Sequence, residues 1–388
     1  MTRKITIVTG TRAEYGLLKP LIKSIFLDAK LELQLIVTGM HLSNEFGYTI
    51  REIENDGFPI VSKIECLLSS DSSVGVSKSI AIAISGFADA FENLKPEILV
   101  VLGDRTEILA AVIAATSANI PIAHLHGGET TEGAYDEGIR HSITKFSHLH
   151  FTSTEIYKKR VIQLGESPNN VFDVGAIGLD SIKGLDLYSK QEFEKSIKKG
   201  LKKKNCLITY HPVTLEIENP MHTFTNILRA LDEYDDTLLI FTHANSDKNG
   251  RIINTMIEDY VKKNEQKAVS FKSLGQMRYL SALKYVDVVV GNSSSGIIEV
   301  PYFNIPTINI GDRQKGRISP LSVLDVNNSY EEIKLALKKS FSLEFKNKIE
   351  AQDQVYGSGN TTQKIINILK GIDSFNLKKQ FYNIDFEY

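Results

Sequence analysis

The chain alternates short apolar runs with stretches in which apolar residues recur every three or four positions. The runs are typical of buried β-strands, and the recurring spacing is typical of amphipathic helices. In the first half the predicted strands are Lys4–Thr9, Leu31–Thr38, Leu99–Leu102, Pro121–Leu125, Leu149–Ser153 and Val171–Val174. The helices predicted among them are Tyr15–Phe26, Glu107–Ala118 and Ile139–Phe146. Repeated strand–helix alternation predicts a parallel sheet that is covered on both faces.

The second half repeats this alternation after the charged stretch Ser189–Asn205. The strands predicted there are Cys206–Tyr210, Leu238–Thr242, Ala268–Phe271, Val286–Val290 and Thr307–Ile310, and the closing helices are Glu331–Lys339 and Thr361–Lys370. The pattern predicts an α/β fold of two doubly wound, Rossmann-like domains facing a cleft, at residues 1–185 and 186–370. The aromatic tail, residues 371–388, is expected to pack on the first domain or at an interface.

Composition narrows the class of protein. A length of 388 residues favours two domains, since a single core seldom grows past about 250–300 residues. The net charge of −2 gives no support for a nucleic-acid partner. No membrane span or targeting signal is recognised, so a cytoplasmic protein is expected. Cys66 and Cys206 form no metal or disulfide pattern and are interpreted as reduced packing residues.

The segment Gly291–Glu299 is the most informative polar cluster, because it follows the apolar run Val286–Val290 directly. Its glycine, asparagine and serines predict a tight turn that opens a helix. A helix N-terminus offers unpaired N–H groups and favours an anion. Glu299 lies four residues beyond Ser295, on the same helix face, where it is placed to accept hydrogen bonds from a ribose. The segment therefore predicts a site for a nucleoside diphosphate.

Three carboxylates follow predicted strands of the first domain: Asp104, Glu129 and Asp136. Basic and imidazole side chains lie among them in the sequence, namely Arg105, His126, Arg140 and His141. Carboxylates gathered at the rim of a cleft are suited to proton abstraction and donation. Turn stabilisation is the alternative for the Asp104–Arg105 pair. Metal binding is a weaker alternative for the cluster, because no two histidines have ligand spacing on one helix face.

Four further residues at strand ends have both a binding and a structural interpretation. Arg12 either holds a phosphate or caps a surface turn, and the segment around it lacks the glycine spacing of a dinucleotide site. His211 either contacts a phosphate, shuttles a proton or only satisfies a turn. Asn245 is a nucleotide contact or a turn residue. Arg313 lies in a basic loop that fits a nucleotide or is simply exposed.

Together these segments resemble the hydrolysing UDP-N-acetylglucosamine 2-epimerases of sialic-acid biosynthesis. The motifs that carry the resemblance are Gly10–Tyr15, Val37–His41, Gly103–Arg105, His126–Glu129, Asp136–Lys145, His211–Thr214, Gly291–Glu299 and Gly311–Gly316. They run in the family's order over essentially the whole chain. The non-hydrolysing epimerases differ at these points, with Arg-Pro-Glu in the first turn. Some members have serine where this chain has Gly16, which puts a side-chain contact there in doubt.

The resemblance implies a glycosyltransferase type B architecture, with UDP held mainly by the second domain. The residues that it implies for nucleotide binding are Arg12, Arg105, His211, Asn245, Ser293, Ser294, Glu299 and Arg313. The catalytic residues that it implies are Asp104, Glu129, Asp136 and His211. The role of His211 is to contact a phosphate or to transfer a proton. A UDP-sugar is then the partner, no metal or cofactor is needed, and a homodimer or homotetramer is expected.

The implied reaction converts UDP-N-acetylglucosamine and water to N-acetylmannosamine and UDP, by elimination to 2-acetamidoglucal and hydration. The alternative substrate is UDP-2,4-diacetamido-2,4,6-trideoxyglucose, as in legionaminic-acid synthesis. A type B glycosyltransferase and a sugar-nucleotide sensor without turnover are the other function classes. A glycosyltransferase should have an acceptor site and would not need three carboxylates at that rim, whereas a sensor predicts no loss of substrate.

Overall fold

The computed structural model describes residues 2–68, 72–130, 136–212, 219–244, 250–351, 354–372 and 374–385. The chain divides into two compact units. The first unit runs to Lys183 and also takes in the chain from Tyr356 onward, and the second unit is Gly184–Val355. Each unit contains one parallel β-sheet with helices on its faces.

The first unit contains a seven-stranded sheet over the described residues, in the order β3-β2-β1-β4-β5-β6-β7. Its strands are β1 Arg3–Thr9, β2 Leu31–Thr38, β3 Ile60–Ile64, β4 Ile98–Leu102, β5 Ile122–Leu125, β6 Leu149–Thr152 and β7 Val171–Asp173. Its helices are α1 Arg12–Leu27, α2 Ile50–Asn55, α3 Ser73–Leu94, α4 Thr106–Ser117, α5 Asp136–Phe146, α6 Glu155–Gln163, α7 Gly178–Lys183 and α15 Thr361–Gly371. Short 3-10 helices are Gly39–Leu42 and Pro168–Asn170.

The second unit contains a six-stranded sheet over the described residues, in the order β10-β9-β8-β11-β12-β13. Its strands are β8 Lys204–Thr209, β9 Thr237–Thr242, β10 Ala268–Phe271, β11 Val288–Gly291, β12 Thr307–Ile310 and β13 Val323–Val326. Its helices are α8 Lys190–Ile197, α9 Pro220–Asp232, α10 Gly250–Lys263, α11 Gly275–Ala282, α12 Ser295–Ile298, α13 Tyr330–Ser340 and α14 Leu343–Glu350. A 3-10 helix, Val300–Phe303, follows α12.

Both faces of the first sheet are buried, which explains the near-continuous apolar runs of its strands. Ile5 and Ile7 of β1 point into one core cluster, and Val8 points into the cluster on the opposite face. In β4, Val100 joins the first cluster and Leu99 the second. Because successive side chains of a strand alternate between faces, a strand buried on both sides needs an apolar residue at nearly every position.

Both sheets reverse their strand order at one point. In the first sheet β1 lies beside β2 on one side and β4 on the other, both parallel to it. In the second sheet β8 lies in the same way between β9 and β11. At such a switch point the neighbouring loops diverge above the carboxyl ends of the strands, leaving a crevice where ligands bind in this class of fold. The predicted polar clusters follow the strands at these points.

The last helix, α15, was predicted within the second domain, but the structure places it in the first unit. Ile365, Ile366 and Leu369 pack into the core cluster that contains Ile5 and Ile7. Thr361 at its start donates its N–H to Asp180 Oδ1 of α7 at 3.0 Å. The spacing of apolar residues predicts such a helix, but it does not say which sheet buries its apolar face.

No membrane span is recognised in the sequence, and one helix requires a correction of that expectation. Among the described helices α3 has 22 residues and contains an 18-residue window of mean hydropathy 1.3, so it is long and apolar enough to cross a membrane by length and composition. One such helix is weak evidence, because a core helix passes the same test. Phe87 and Phe91 of α3 are buried in a core cluster together with α4 residues such as Val112.

Candidate active site

The loops after β1, β4 and β5 carry the polar residues of the first switch point. Asp104 follows β4 directly, and its carboxylate forms an ion pair with Arg140 of α5. The Arg140 side chain is only 5% exposed, and it also donates to the main-chain oxygen of Glu129 at 2.8 Å and to Glu137 at 3.1 Å. One buried guanidinium thus joins the segments that carry two of the predicted carboxylates.

Glu129 is held by two donors of its own. His126 Nδ1 lies 2.9 Å from Glu129 Oε1, and the Ser153 hydroxyl donates to the same oxygen at 2.8 Å. The carboxylate is therefore oriented by groups from the β5 loop and from the end of β6. Among the polar atoms that the structure describes, His126 Nε2 is buried and has no hydrogen-bond partner.

Asp136 is the first residue of α5. Burial raises the pKa of its carboxyl group, and the negative charge of Asp104 raises it further. Arg140 and Arg105 oppose this effect without cancelling it. Asp136 therefore lies within electrostatic reach of Asp104, and Arg140 links Asp104 to the segment that carries Glu129.

Two buried carboxyl groups at this edge are absent from the residues predicted for the site. Glu107, in the first turn of α4, accepts a hydrogen bond from Arg105 Nε at 2.6 Å. Glu14 of α1 accepts from the main-chain N–H groups of Gly10 and Thr11 at 2.9 and 3.0 Å, completing a capping box with Thr11. The Thr11–Glu14 spacing is a capping signal that was available in the sequence. Nothing in the sequence showed that both carboxyl groups are buried.

Two buried histidines support the loops at this edge as neutral side chains. Burial lowers the pKa of His124 to about 3, and its Nε2 lies 2.8 Å from the main-chain oxygen of Gly103. Burial likewise lowers the pKa of His41 to about 4, and its ring bridges the hydroxyls of Thr9 and Thr49. At neutral pH a neutral imidazole offers one donor and one acceptor, which suits these bridging positions.

Arg12 lies at the start of α1 and is 65% exposed. Its guanidinium pairs with Glu52 at 2.9 Å. An exposed ion pair of this kind contributes little to stability, so Arg12 is able to exchange Glu52 for another anion at small cost. Both interpretations of this residue, phosphate contact and surface arginine, are compatible with the geometry.

The second switch point is built around Asn292. Gly291 ends β11 with φ +141°, and a Cβ there would overlap the main-chain oxygen of Thr209 on β8, so only glycine fits. The buried side chain of Asn292 bridges to His211, accepting from its N–H and donating to its oxygen, both at 2.8 Å. The loop after β8 and the loop after β11 are thereby locked together.

The basic loop after β12 joins the same centre. Arg313 Nη1 and Gln314 Nε2 donate to the main-chain oxygen of Asn292 at 3.0 and 2.9 Å. His211, Asn292 and Arg313 are thus brought together at one sheet edge of the second unit, although they are far apart in the sequence.

The helix predicted after Gly291 is much shorter than expected. Helix α12 covers only Ser295–Ile298, and the chain continues as the 3-10 helix Val300–Phe303. A single turn aligns few peptide dipoles, so the macrodipole argument for an anion is weaker than the sequence suggested. Ser293 and Ser294 are partly exposed beside it.

Glu299 lies at the end of this turn with its carboxyl group against Ser295. The Ser295 hydroxyl donates to Glu299 Oε2 and also contacts the Tyr279 hydroxyl. Burial raises the pKa of Glu299. The geometry shows a small, partly buried polar group at the position where a ribose contact was predicted.

Asn245 lies outside the described residues. Within the described parts of the chain, no group of three or more His, Cys, Asp or Glu side chains is arranged to hold a metal ion.

Comparison with solved structures identifies the fold. The structure of the Neisseria meningitidis UDP-GlcNAc 2-epimerase bound to UDP-GlcNAc superposes with a TM-score of 0.77 at 19% identity, over 95% of this chain and all of that one. The predicted fold class, two Rossmann-like α/β domains, is confirmed.

Sequence comparison identifies the family. Residues 23–370 match the family model described as UDP-N-acetylglucosamine 2-epimerase. The Campylobacter jejuni GDP/UDP-N,N'-diacetylbacillosamine 2-epimerase (hydrolyzing) is 47% identical over 89% of each chain. The Escherichia coli polysialic acid biosynthesis protein P7 is 39% identical over 98% of each, and the Legionella pneumophila UDP-N,N'-diacetylbacillosamine 2-epimerase (hydrolyzing) is 38% identical over 96% and 97%. The chain belongs to the UDP-N-acetylglucosamine 2-epimerase family.

Proposed function

We propose that this chain is a hydrolysing 2-epimerase, which converts a UDP-activated 2-acetamido sugar and water to UDP and the free sugar inverted at C2. The observation that supports this most directly is the gathering of Asp104, Glu129 and Asp136 at one sheet edge of the first unit, with Arg105 and Arg140 among them. Acid–base groups beside fixed cations suit a reaction that moves protons while a diphosphate departs.

The reaction has two balanced steps. In the first, a carboxylate takes the C2 proton, the C2–H electrons form a C1=C2 double bond, and UDP leaves with the electrons of the C1–O bond. This route avoids a free carbanion, which no neighbouring carbonyl would stabilise. In the second step a carboxyl group gives a proton to C2 of the 2-acetamidoglucal from the opposite face, water bonds to C1 through its oxygen, and a carboxylate takes the proton that this water loses.

Asp136 is the proposed proton donor of the second step, because burial and the charge of Asp104 raise its pKa. Asp104 and Glu129 are the proposed acceptors of the C2 proton. Arg140 holds Asp104, while His126 and Ser153 orient Glu129, so both carboxylates have a defined direction. A carboxyl group with a raised pKa beside oriented carboxylates suits acid–base catalysis.

UDP is the proposed ligand of the second unit. Ser293 and Ser294 supply hydroxyl donors, and His211 and Arg313 are fixed around Asn292. Glu299 is the proposed ribose contact, and Ser295 would give up its hydrogen bond to Glu299 when the ribose binds. From the first unit, Arg105 and Arg12 are the proposed contacts of the diphosphate, and we also propose Asn245 for the nucleotide pocket.

UDP-N,N'-diacetylbacillosamine, a 2,4-diacetamido-2,4,6-trideoxy sugar nucleotide, is the first candidate substrate. The relative at 38% identity is named for this substrate, and the relative at 47% identity is named for its GDP or UDP form. UDP-N-acetylglucosamine is the second candidate, because the matching family model has that description and the relative at 39% identity is named for polysialic acid biosynthesis. The two sugars differ at C4 and C6.

The test is to incubate the protein with each UDP-sugar in deuterated water and to follow the sugar by NMR. We expect UDP and a free 2-epimerised sugar with deuterium at C2, formed faster from the diacetamido substrate. Accumulation of a UDP-linked epimer would contradict hydrolysis. Faster turnover of UDP-N-acetylglucosamine would reverse the order of the two substrates.

The variant Asp104→Asn tests the chemistry separately from binding. We expect its turnover to fall by about 100-fold or more, because loss of a general acid–base group typically has that effect. Its affinity for UDP should stay within about twofold, since Asp104 is not among the proposed contacts of UDP. Asp89→Asn, on the exposed side of α3, is the matched control. Unchanged turnover in Asp104→Asn would remove Asp104 from the mechanism.

A further inference from the structure

Glu107 is a buried charged residue at the edge of the first sheet that the proposed chemistry does not use. It is 5% exposed and lies two residues after Arg105. Its Oε1 accepts from Arg105 Nε at 2.6 Å, and the Thr106 hydroxyl contacts its Oε2 at 3.2 Å. Burying a carboxylate is costly unless it is paired, so the bond to Arg105 explains why Glu107 is tolerated there.

Two glycines make the space for this carboxylate. A Cβ at Gly10, after β1, would lie 2.5 Å from Glu107 Oε1. A Cβ at Gly39, after β2, would lie 3.2 Å from the same atom, and its φ of +59° also favours glycine. The main chain of two neighbouring strand ends therefore surrounds Glu107. The Glu107 carboxylate therefore has little room to move. It holds the Arg105 guanidinium at its Nε side.

The neighbouring Glu14 adds little negative charge beside the Arg105–Glu107 ion pair. Burial, and next the charge of Glu107, raise the pKa of Glu14 to about 8, so it is mainly neutral at pH 7. Its Oε2 is engaged by the N–H groups of Gly10 and Thr11, and its Oε1 is buried without a partner among the described residues. Arg105 consequently has one charged partner bonded to it, Glu107.

The rest of the Arg105 guanidinium is directed away from this partner. Only Nε is bonded to Glu107, the Nη2 group contacts the Met40 sulfur at 4.0 Å, and Nη1 has no protein acceptor among the described residues. The side chain is 36% exposed. A guanidinium fixed through Nε keeps its two Nη groups as a fork, which is the edge that binds a phosphate through two parallel hydrogen bonds.

We propose that Glu107 is a positioning residue, which holds Arg105 through Nε so that the Nη edge is preset for the diphosphate of the UDP-sugar. This inference rests on the proposed function, because it takes a nucleoside diphosphate as the ligand of Arg105. Its physical basis is preorganisation: a long, flexible side chain that is already held loses less conformational entropy when the phosphate binds.

A double-mutant cycle on the dissociation constant of UDP, measured by calorimetry, tests the proposal. Glu107→Gln should weaken UDP binding about 10-fold in the natural chain and less than about twofold in an Arg105→Ala background. Equal losses in both backgrounds, or no loss in either, would overturn it. Glu97→Gln is the matched control, since Glu97 also faces an arginine, Arg3, at the opposite edge of the same sheet.

A measurement on the natural chain covers the case in which Glu107→Gln does not fold. Arginine side-chain NMR should show the Arg105 Nε–H protected from exchange both before and after UDP is added, with only the Nη signals shifting. An unprotected Nε–H, or Nη signals that UDP leaves unchanged, would contradict the proposal. Both experiments use UDP without turnover, so a protein that binds UDP through Arg105 but releases no sugar would refute the proposed reaction and leave this inference standing.

Discussion

Two buried glutamates of the first unit, Glu14 and Glu166, have opposite proton affinities. Their exposed fractions are similar, 6% and 3%. The pKa of Glu14 is raised to about 8, whereas that of Glu166 is lowered to about 2. Burial alone raises the pKa of a carboxyl group, so the difference must come from the partners that each one meets.

Glu14 has neutral donors and a negative neighbour. Its partners are main-chain N–H groups at the start of α1, and Glu107 adds a like charge nearby. Arg105 lowers the pKa, but it is bonded to Glu107 and compensates Glu14 only in part. A proton on Glu14 therefore removes a charge that this edge of the sheet stabilises poorly.

Glu166 is surrounded by cations and donors. Burial again raises its pKa, but hydrogen bonds from His150 at 3.0 Å, Lys145 at 2.5 Å and Lys379 at 2.8 Å outweigh this effect. Lys379 belongs to the C-terminal tail and also donates to the main-chain oxygens of Lys145 and Ser147. The ionised Glu166 thus fastens the tail to α5 and β6.

Burial therefore sets the free-energy cost of ionising a carboxyl group. The hydrogen-bond donors and charges around the group determine whether it stays ionised. At the candidate active site the carboxyl groups outnumber their cations, a proton is retained on Glu14, and the pKa of Asp136 is raised. At the tail the cations outnumber the carboxylate, and the charge of Glu166 is retained. One region is suited to proton transfer, and the other is a structural ion-pair network.

The largest expected effect is that of Glu166→Gln. The amide removes the negative charge that Lys145 and Lys379 face and leaves one acceptor oxygen in place of two, and breaking a buried ion pair from one side typically costs about 3–5 kcal/mol. The free energy of unfolding of the first unit, measured with denaturant at pH 7, should fall by about that amount. Glu155→Gln, at an exposed ion pair of α6, should change it by less than about 0.5 kcal/mol. If both variants changed the free energy of unfolding equally, the ion pairs around Glu166 would not stabilise the protein.

The pH dependence of stability should have opposite signs for the two glutamates. Glu14 has a raised pKa, so its contribution is complete below pH 4.5 and is lost as the pH rises through about 8. Glu166 has a lowered pKa, so its contribution is complete above pH 4.5 and is lost as the pH falls towards about 2. Each slope should be at most about 1.4 kcal/mol per pH unit.

Stability curves of Glu14→Gln and the natural chain, measured from pH 4.5 to 8, isolate the first slope. We expect the free energy of unfolding of the variant to rise relative to that of the natural chain as the pH rises. The reason is that glutamine has no proton to lose and still accepts the two N–H bonds. A constant difference in the free energy of unfolding over this range would mean that Glu14 is ionised throughout. The raised pKa of Glu14 would then be wrong.

A smaller effect is expected at the tail. The Phe381 ring packs on Gly165, with Lys145 Nζ 5.0 Å from the ring centroid, and Tyr382 donates its N–H to the Gly165 oxygen at 2.9 Å. Because the ring is 65% exposed, Phe381→Ala should cost about 1 kcal/mol. Hydrogen exchange at the end of α5 should become faster in this variant. Leu343→Ala, at an equally exposed position of the second unit, should leave that exchange unchanged.

Much of the fold could be predicted, because the strands of a parallel sheet buried on both faces have a strong local pattern. The strands that lie within one residue of the predicted limits are β1, β2, β4, β5, β6, β7, β9, β10 and β12. Strand β3 was not predicted, since polar residues interrupt it, and α3 was not predicted either. The helix after Gly291 was predicted from its capping signals but extends for a single turn, where Pro301 and the packing of the following chain limit it.

The sequence predicted which strand ends carry the residues of the candidate site, but not how these residues are arranged in space. Asp104, Glu129 and Asp136 were recognised from motifs, and the structure places them in one neighbourhood. Glu107 was not recognised, because its importance depends on Gly10 and Gly39, which belong to other strand ends. Contacts between residues that are distant in the chain leave no periodic signal in the sequence.

The strand–helix alternation, the polar residues at the ends of the strands and the family motifs can all be recognised in the amino-acid sequence. These properties depend on local patterning, since side chains alternate in a strand and capping residues lie next to the helices that they cap. Three other properties became known only from the folded chain: α15 belongs to the first unit, Asn292 joins His211 to Arg313, and Glu14 holds a proton while Glu166 does not. They depend on burial and charge, which are set by segments that lie far apart in the chain and meet only when it folds.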